Sequence, residues 1–103
     1  MAPALTGPAA GVVARAVDSS TLGLRVMGRA SFSFSGKVTI AANKSSATVT
    51  KPGVTTASLI IATPKTNRAG VYVQSAVPAA GKFTVHLNKK VSAATDVAYL
   101  ILG

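Results

Sequence analysis

The side chains able to do chemistry in this chain are few: one histidine, His86, two carboxylates, Asp18 and Asp96, and no cysteine. A zinc centre takes four N, O or S ligands, which a lone histidine and two distant aspartates do not supply. A Ser-His-Asp arrangement needs a nucleophile and an acid marked near the base, and nothing marks them here. Paired-carboxylate hydrolysis would require Asp18 and Asp96 to converge, whereas Asp96 reads as the opening of the last strand. Gly7-Pro-Ala-Ala-Gly11 lacks the Lys-Ser/Thr ending of a phosphate loop and the helix that should follow it. Ser and Thr are abundant, but on the exposed face of a pleated sheet they are the expected polar residues. The sequence therefore predicts no enzyme, no cofactor and no metal, with His86 solvated or lining an interface.

The charged residues say more. Eleven Lys and Arg face two Asp, a formal net charge of +9. Such an excess makes copies repel one another and calls for a standing acidic partner. The cations Arg15, Arg25, Arg29, Lys37, Lys44, Lys51, Lys65, Arg68, Lys82, Lys89 and Lys90 are dispersed through strands and loops. Single-strand nucleic-acid binders interleave such charge with exposed aromatics that stack on bases. Here only Tyr72 and Tyr99 stand outside the three phenylalanines, so a basic nucleic-acid-binding protein, whose affinity for DNA would fall steeply with salt, is the third and least favoured reading. An acidic protein shell or an anionic envelope fits the dispersed pattern better.

A chain of 103 residues makes one domain with one thin core. Aromatics are 5% of the residues, so Val, Ile, Leu and Ala must fill that core, with Phe32, Phe34 and Phe83 as its large pieces. Stability beyond it is expected from partner subunits. The first ten residues have neither the basic nor the unbroken apolar part of a secretory signal. No apolar run reaches the roughly 20 residues that span a bilayer. The expectation is a protein made in a cytoplasm, with no membrane partner.

The elements that must position these groups are strands. In Lys82–Asn88, Phe83, Val85 and Leu87 alternate with Lys82, Thr84, His86 and Asn88, the period of a strand with one dry face. Asp96–Gly103 is apolar on both parities, which predicts a central or covered strand. Asn88–Thr95 is read as the turn joining the two. Upstream, Leu22, Leu24, Val26, Ala30, Phe32, Phe34, Val38, Ile40 and Ala42 share even parity, giving two strands or one long strand bent near Gly28 and Gly36. Asn43–Ser46 reads as a hairpin loop and Ala47–Thr50 as the return strand, ending at Lys51-Pro52-Gly53. Thr56–Thr63 is the next strand. Val71, Val73 and Val77, alternating with Tyr72, Gln74 and Ala76, give another, which Pro78-Ala-Ala-Gly81 turns back. Met1–Gly11, with two prolines and two glycines, reads as an extended arm, and Ala9–Val17 could add one short helix. The fold class is all-β, an antiparallel, jelly-roll-like β-sandwich over residues 22–103 behind an N-terminal arm over 1–21.

Gly36-Lys-Val-Thr-Ile, Ala47-Thr-Val-Thr-Lys-Pro-Gly-Val54, Ile61-Ala-Thr-Pro64, Gly70-Val-Tyr-Val, Phe83-Thr-Val-His-Leu-Asn88 and Thr95–Gly103 together resemble a small β-sandwich domain of actinobacteriophage virion proteins. In that group it is similar to the C-terminal domain of head fibres, capsid decoration proteins and some tail fibres. The resemblance covers Gly36 to Gly103, about two-thirds of the chain, and rests on strand-and-turn phrasing. Where related domains favour Trp in the last strand, Tyr99 stands here. The resemblance implies a homotrimer on the capsid exterior, with the major capsid protein as partner and no catalytic residues. It does not reach Met1–Arg29, where Arg15, Arg25 and Arg29 are the candidate capsid contacts on the attachment reading. A receptor- or carbohydrate-binding tail-fibre tip is the alternative, although the chain has neither heptads nor collagen-like triplets to build a shaft.

Overall fold

In a computed structural model of the chain, which describes residues 11–103, six strands form two three-stranded antiparallel sheets. They are β1 (Ser35–Ile40), β2 (Ser46–Thr50), β3 (Leu59–Pro64), β4 (Val73–Ala79), β5 (Lys82–Leu87) and β6 (Thr95–Leu102). One sheet has the order β1-β6-β3 and the other β2-β5-β4, so β6 and β5 are the central strands. The chain divides into two units, Met1–Ser31 and Phe32–Gly103, and the second holds every strand of the described residues. An all-β sandwich is thus the fold.

The core follows from the alternation. Phe83, Val85 and Leu87 of β5 and Val97, Tyr99 and Ile101 of β6 are buried, together with Ile40, Val54 and Val91. Phe83 meets Tyr99 edge-on at 4.8 Å between ring centroids, joining the two central strands across the sandwich. Tyr99 in turn lies opposite Gly36 in the β1–β6 ladder. A Cβ at Gly36 would come within 2.9 Å of the Tyr99 hydroxyl, so the glycine makes room for the ring.

Consecutive strands mostly change sheets. Only β4 and β5 form a hairpin, closed by Ala80-Gly81 with Gly81 at φ +71°. Asn43–Ser46 is accordingly no hairpin loop, because β1 and β2 pair with different partners and the loop is an arch between sheets. Nor does Asn88–Thr95 return β6 onto β5; it too crosses to the other sheet. Lys51-Pro52-Gly53 does turn the chain as expected, with the Val54 amide donating to Lys51 O and Gly53 at φ +99°.

Other expectations are corrected. Of the long even-parity run, only Ser35–Ile40 becomes a strand, and Leu22, Leu24, Val26 and Phe32 are exposed. Alternation makes a strand possible, but a ladder also needs a partner edge, and β6 already has β1 and β3 on its two sides. Phe32 and Phe34 are not core residues. Phe32 is 52% exposed, and Phe34 caps Gly53 from the rim with the Lys51 ammonium 5.6 Å from its ring centre. On β4 the register shifts between Val73 and Ser75, a bulge that turns Val77 outward and puts Ala76 opposite Val85. Pro78 lies within β4, as an edge strand allows, so the turn begins later than its sequence indicated.

Residues 11–31 contain neither helix nor strand, so the described part of the Ala9–Val17 helix does not form. Asp18 instead closes a local turn, its Oδ1 accepting from Ser20 N and Ser20 Oγ. The remainder of the expected arm, residues 1–10, lies outside the described residues.

Candidate functional site

Three connections meet at one end of the sandwich. The β1–β2 arch and the β5–β6 arch pair with each other, Asn43 N donating to Val91 O at 2.7 Å and Val91 N to Lys44 O at 3.0 Å. Asn88 ties in the β3–β4 connection: its Oδ1 accepts from Tyr72 N at 2.9 Å, and its Nδ2 donates to Gly70 O at 2.8 Å. The side chain thus completes the backbone bond already made there, Asn88 N to Tyr72 O at 3.1 Å. Arg68 fixes the same connection to the start of β6, through Nη2 to Ala94 O and Nε to Thr95 Oγ1.

This framework carries Lys44, Arg68, Lys89 and Lys90 at one end of the molecule. Lys89 and Lys90 form a ridge between two open depressions. The larger, about 540 Å³, is also lined by Gln74, Ser75, His86 and Asn88; the smaller, about 280 Å³, by Arg68, Val71 and Ser92. Gly70, at φ +72°, passes beneath the ridge, and the Lys89 ammonium lies 3.1 Å from where a Cβ on it would be. His86 stands on the outer face of β5 between Ser46 and Ser75 and lines the larger depression.

No carboxylate lines either depression. Asp96, the one acid of Phe32–Gly103, is on the outer face of the other sheet, where Thr39 Oγ1 donates to it at 2.6 Å and Lys37 Nζ at 3.1 Å. Those two hydrogen bonds, Thr39 first and Lys37 second, hold its carboxyl below the ordinary value of 3.8. The Lys37–Asp96 pair is the one salt bridge among the described residues. Asp18 is likewise held low by its bonds from Ser20. Each aspartate therefore has local partners of its own, and neither stands with the histidine.

Chemically the basic end can bind anionic groups. Its lysines sit in water, so each contact is weak and screened by salt, and strength must come from several acting together. Among the described residues no group of three His, Cys, Asp or Glu is placed to hold a metal ion. No helix of the described residues is long and apolar enough to cross a membrane.

Arg15, Arg25 and Arg29, the candidate contacts named from the sequence, all lie exposed in residues 11–31, outside the unit that bears the ridge. Among the described residues, no side-chain hydrogen bond or ion pair joins them to one another. The ridge itself escapes a sequence reading in which Asn88–Thr95 is only a polar connection. A signal is present all the same: Lys89-Lys90 is the only pair of adjacent cations in the chain.

Fold and basic end together define a small all-β, two-sheet domain. No family model matches the chain, and neither a curated protein nor a solved structure is found similar to it.

Proposed function

We propose that this chain is a structural protein of a phage virion, a capsid decoration or head-fibre protein that sits as a homotrimer on the outside of the major capsid protein after synthesis in the host cytoplasm. The observation that carries the reading is the charge layout of Phe32–Gly103, eight cations against one carboxylate, with the Lys89-Lys90 ridge raised on a braced, acid-free end. A surface of this kind docks onto an acidic shell through many weak contacts. The strand-and-turn phrasing from Gly36 to Gly103 agrees with it. Attachment is the role, and no catalytic step is assigned. Arg15, Arg25 and Arg29 remain candidate capsid contacts in addition to the ridge.

A second reading, the receptor-binding tip of a tail fibre, is favoured by the larger depression, whose Gln74, Ser75 and His86 could meet sugar hydroxyls. Labelled antibody on intact virions separates the two. Label over the capsid exterior supports decoration, label at the tail tip supports the second reading, and unlabelled virions overturn both. Lys89→Glu with Lys90→Glu should lower capsid occupancy severalfold while leaving the β-type circular dichroism unchanged. Full occupancy by that double variant would show that the ridge is not the attachment point.

A further inference from the structure

The outer face of the β1-β6-β3 sheet is apolar at one end. Ladder pairing puts Leu59 beside Leu102 and Ile61 beside Leu100, all on the face away from the core. Leu59 is 66% exposed, Ile61 59% and Leu102 41%. Leu59, Ile61, Leu100 and Leu102 thus form one contiguous apolar patch on a face of the sheet that the fold leaves uncovered. The sequence leads to the same place, since β6 is apolar on both parities while the fold covers only one of its faces.

We infer that this face is where copies of the chain meet. The occupant is argued from charge. A copy approaching the basic end of Phe32–Gly103, or the outer face of β2-β5-β4 with Lys82 and His86, meets cations opposed by no acid. On the β1-β6-β3 face the apolar end is uncharged, and the other end holds Asp96 between Lys37 and Lys65. It is the one outer sheet face of the two where a second copy meets a carboxylate, so a neighbour's lysine can share Asp96 while the leucines and Ile61 close on each other. A polar or acidic partner protein would gain nothing from Leu59, Ile61 and Leu102. The inference specifies the contact inside the homotrimer proposed above. It is tested on purified protein, where attachment plays no part.

Full-length protein should sediment as an oligomer at about 100 µM, and Ile61→Lys should sediment as a monomer with unchanged circular dichroism. Val77→Lys, the same exchange on the outer face of the other sheet, should remain oligomeric. The absence of cysteine from the chain gives a second measurement that does not depend on how Ile61→Lys folds. A spin label on Thr63→Cys should broaden through a neighbouring copy, and one on Thr48→Cys should not. A monomeric parent, an oligomeric Ile61→Lys, or equal spectra from the two labels would overturn the inference. An oligomer with these properties that fails to bind capsids would leave the interface standing and remove the decoration role.

Discussion

Outward from Phe83 and Val85, the sheet β2-β5-β4 shows Lys82, Thr84 and His86, flanked by Thr48 and Thr50 on one side and Ser75 and Val77 on the other. Outward from Val97, Tyr99 and Ile101, the sheet β1-β6-β3 shows Ala98, Leu100 and Leu102, flanked by Leu59 and Ile61. Both central strands give their dry residues to one core, yet one sheet is finished with a wet back and the other is wet only toward its Asp96 end, with Leu59, Ile61, Leu100 and Leu102 at the opposite end. An antiparallel sheet with one face in water should alternate, and β5 does. β6 is written like a strand buried on both sides, inside a domain that covers only one of them. The difference teaches that a strand apolar on both parities can describe an assembly rather than a chain.

The comparison breaks most severely at the shared core. Phe83→Ala removes a fully buried ring that packs on Tyr99, and such truncations cost about 3–5 kcal/mol, a large part of a small domain's stability. Lys82→Ala, one residue away on the wet face, should change folding by no more than about 0.5 kcal/mol. Urea melts of the two variants check this directly, and equal midpoints would mean that the β5 register is wrong.

The next effect tests how the apolar-backed sheet admits its aromatic. Gly36→Ala would bring a methyl against the Tyr99 ring, which also packs edge-on against the fully buried Phe83, so a shift of the ring disturbs the core. Overpacking of this kind costs typically about 1–3 kcal/mol. Thermal melts of Gly36→Ala alone and with Tyr99→Phe give the check. Removing the hydroxyl, the nearest atom, should recover part of the loss.

How much of this was legible turns on what a period can and cannot encode. The facing of Phe83, Val85 and Leu87 could be read because alternation is local. So could the turn at Pro52-Gly53, because it needs only its own φ values. The failure at Leu22–Phe34 is of another kind: alternation was present, but a strand also needs a free edge, and the sequence does not show that β3 occupies the other side of β6. Arches and hairpins use the same polar residues, so Asn43–Ser46 and Asn88–Thr95 could not be told from tight returns. The bulge at Gln74 reverses the parity of Val77 with no local mark. The basic end shares that cause. Lys44, Arg68, Lys89 and Lys90 come from three separate connections, and only the arches bring them to one end.

A smaller effect is expected on the wet face. Thr48 and Thr84 are opposite each other on β2 and β5, their hydroxyls 2.9 Å apart. Thr48→Val keeps the β-branched shape and removes that bond, for about 0.5–1 kcal/mol by denaturant melt. It also adds one apolar residue to the face that carries Val77, with Thr84 of β5 between the two. The sedimentation of Thr48→Val should nevertheless match the parent, because Lys82 and His86 remain on that face. Any added self-association would mean that apolarity alone, without Asp96, directs copies together.

The smallest expected effect concerns Asp96 itself, the feature that most separates the electrostatics of the two outer faces. Thr39 and Lys37 lower its pKa in the folded chain, so the folded state favours the carboxylate more than the unfolded state does. The stability it adds is therefore fully present above the ordinary value of 3.8 and is lost as pH falls through the still lower folded value. Asp96→Asn should melt at a slightly lower urea concentration than the parent at pH 7, and the gap should begin to close as pH falls below 3.8 and vanish below the folded value. Asp18 titrates in the same acid range, but it is present in both proteins and drops out of the difference. Added salt should narrow the gap only in part, because it screens the Lys37 ammonium while the Thr39 hydrogen bond is short-ranged and survives. A gap that stayed constant from pH 7 to pH 2 would mean that the variant had lost something other than the charge. The carboxylate would then not be what distinguishes this face from the back of β5.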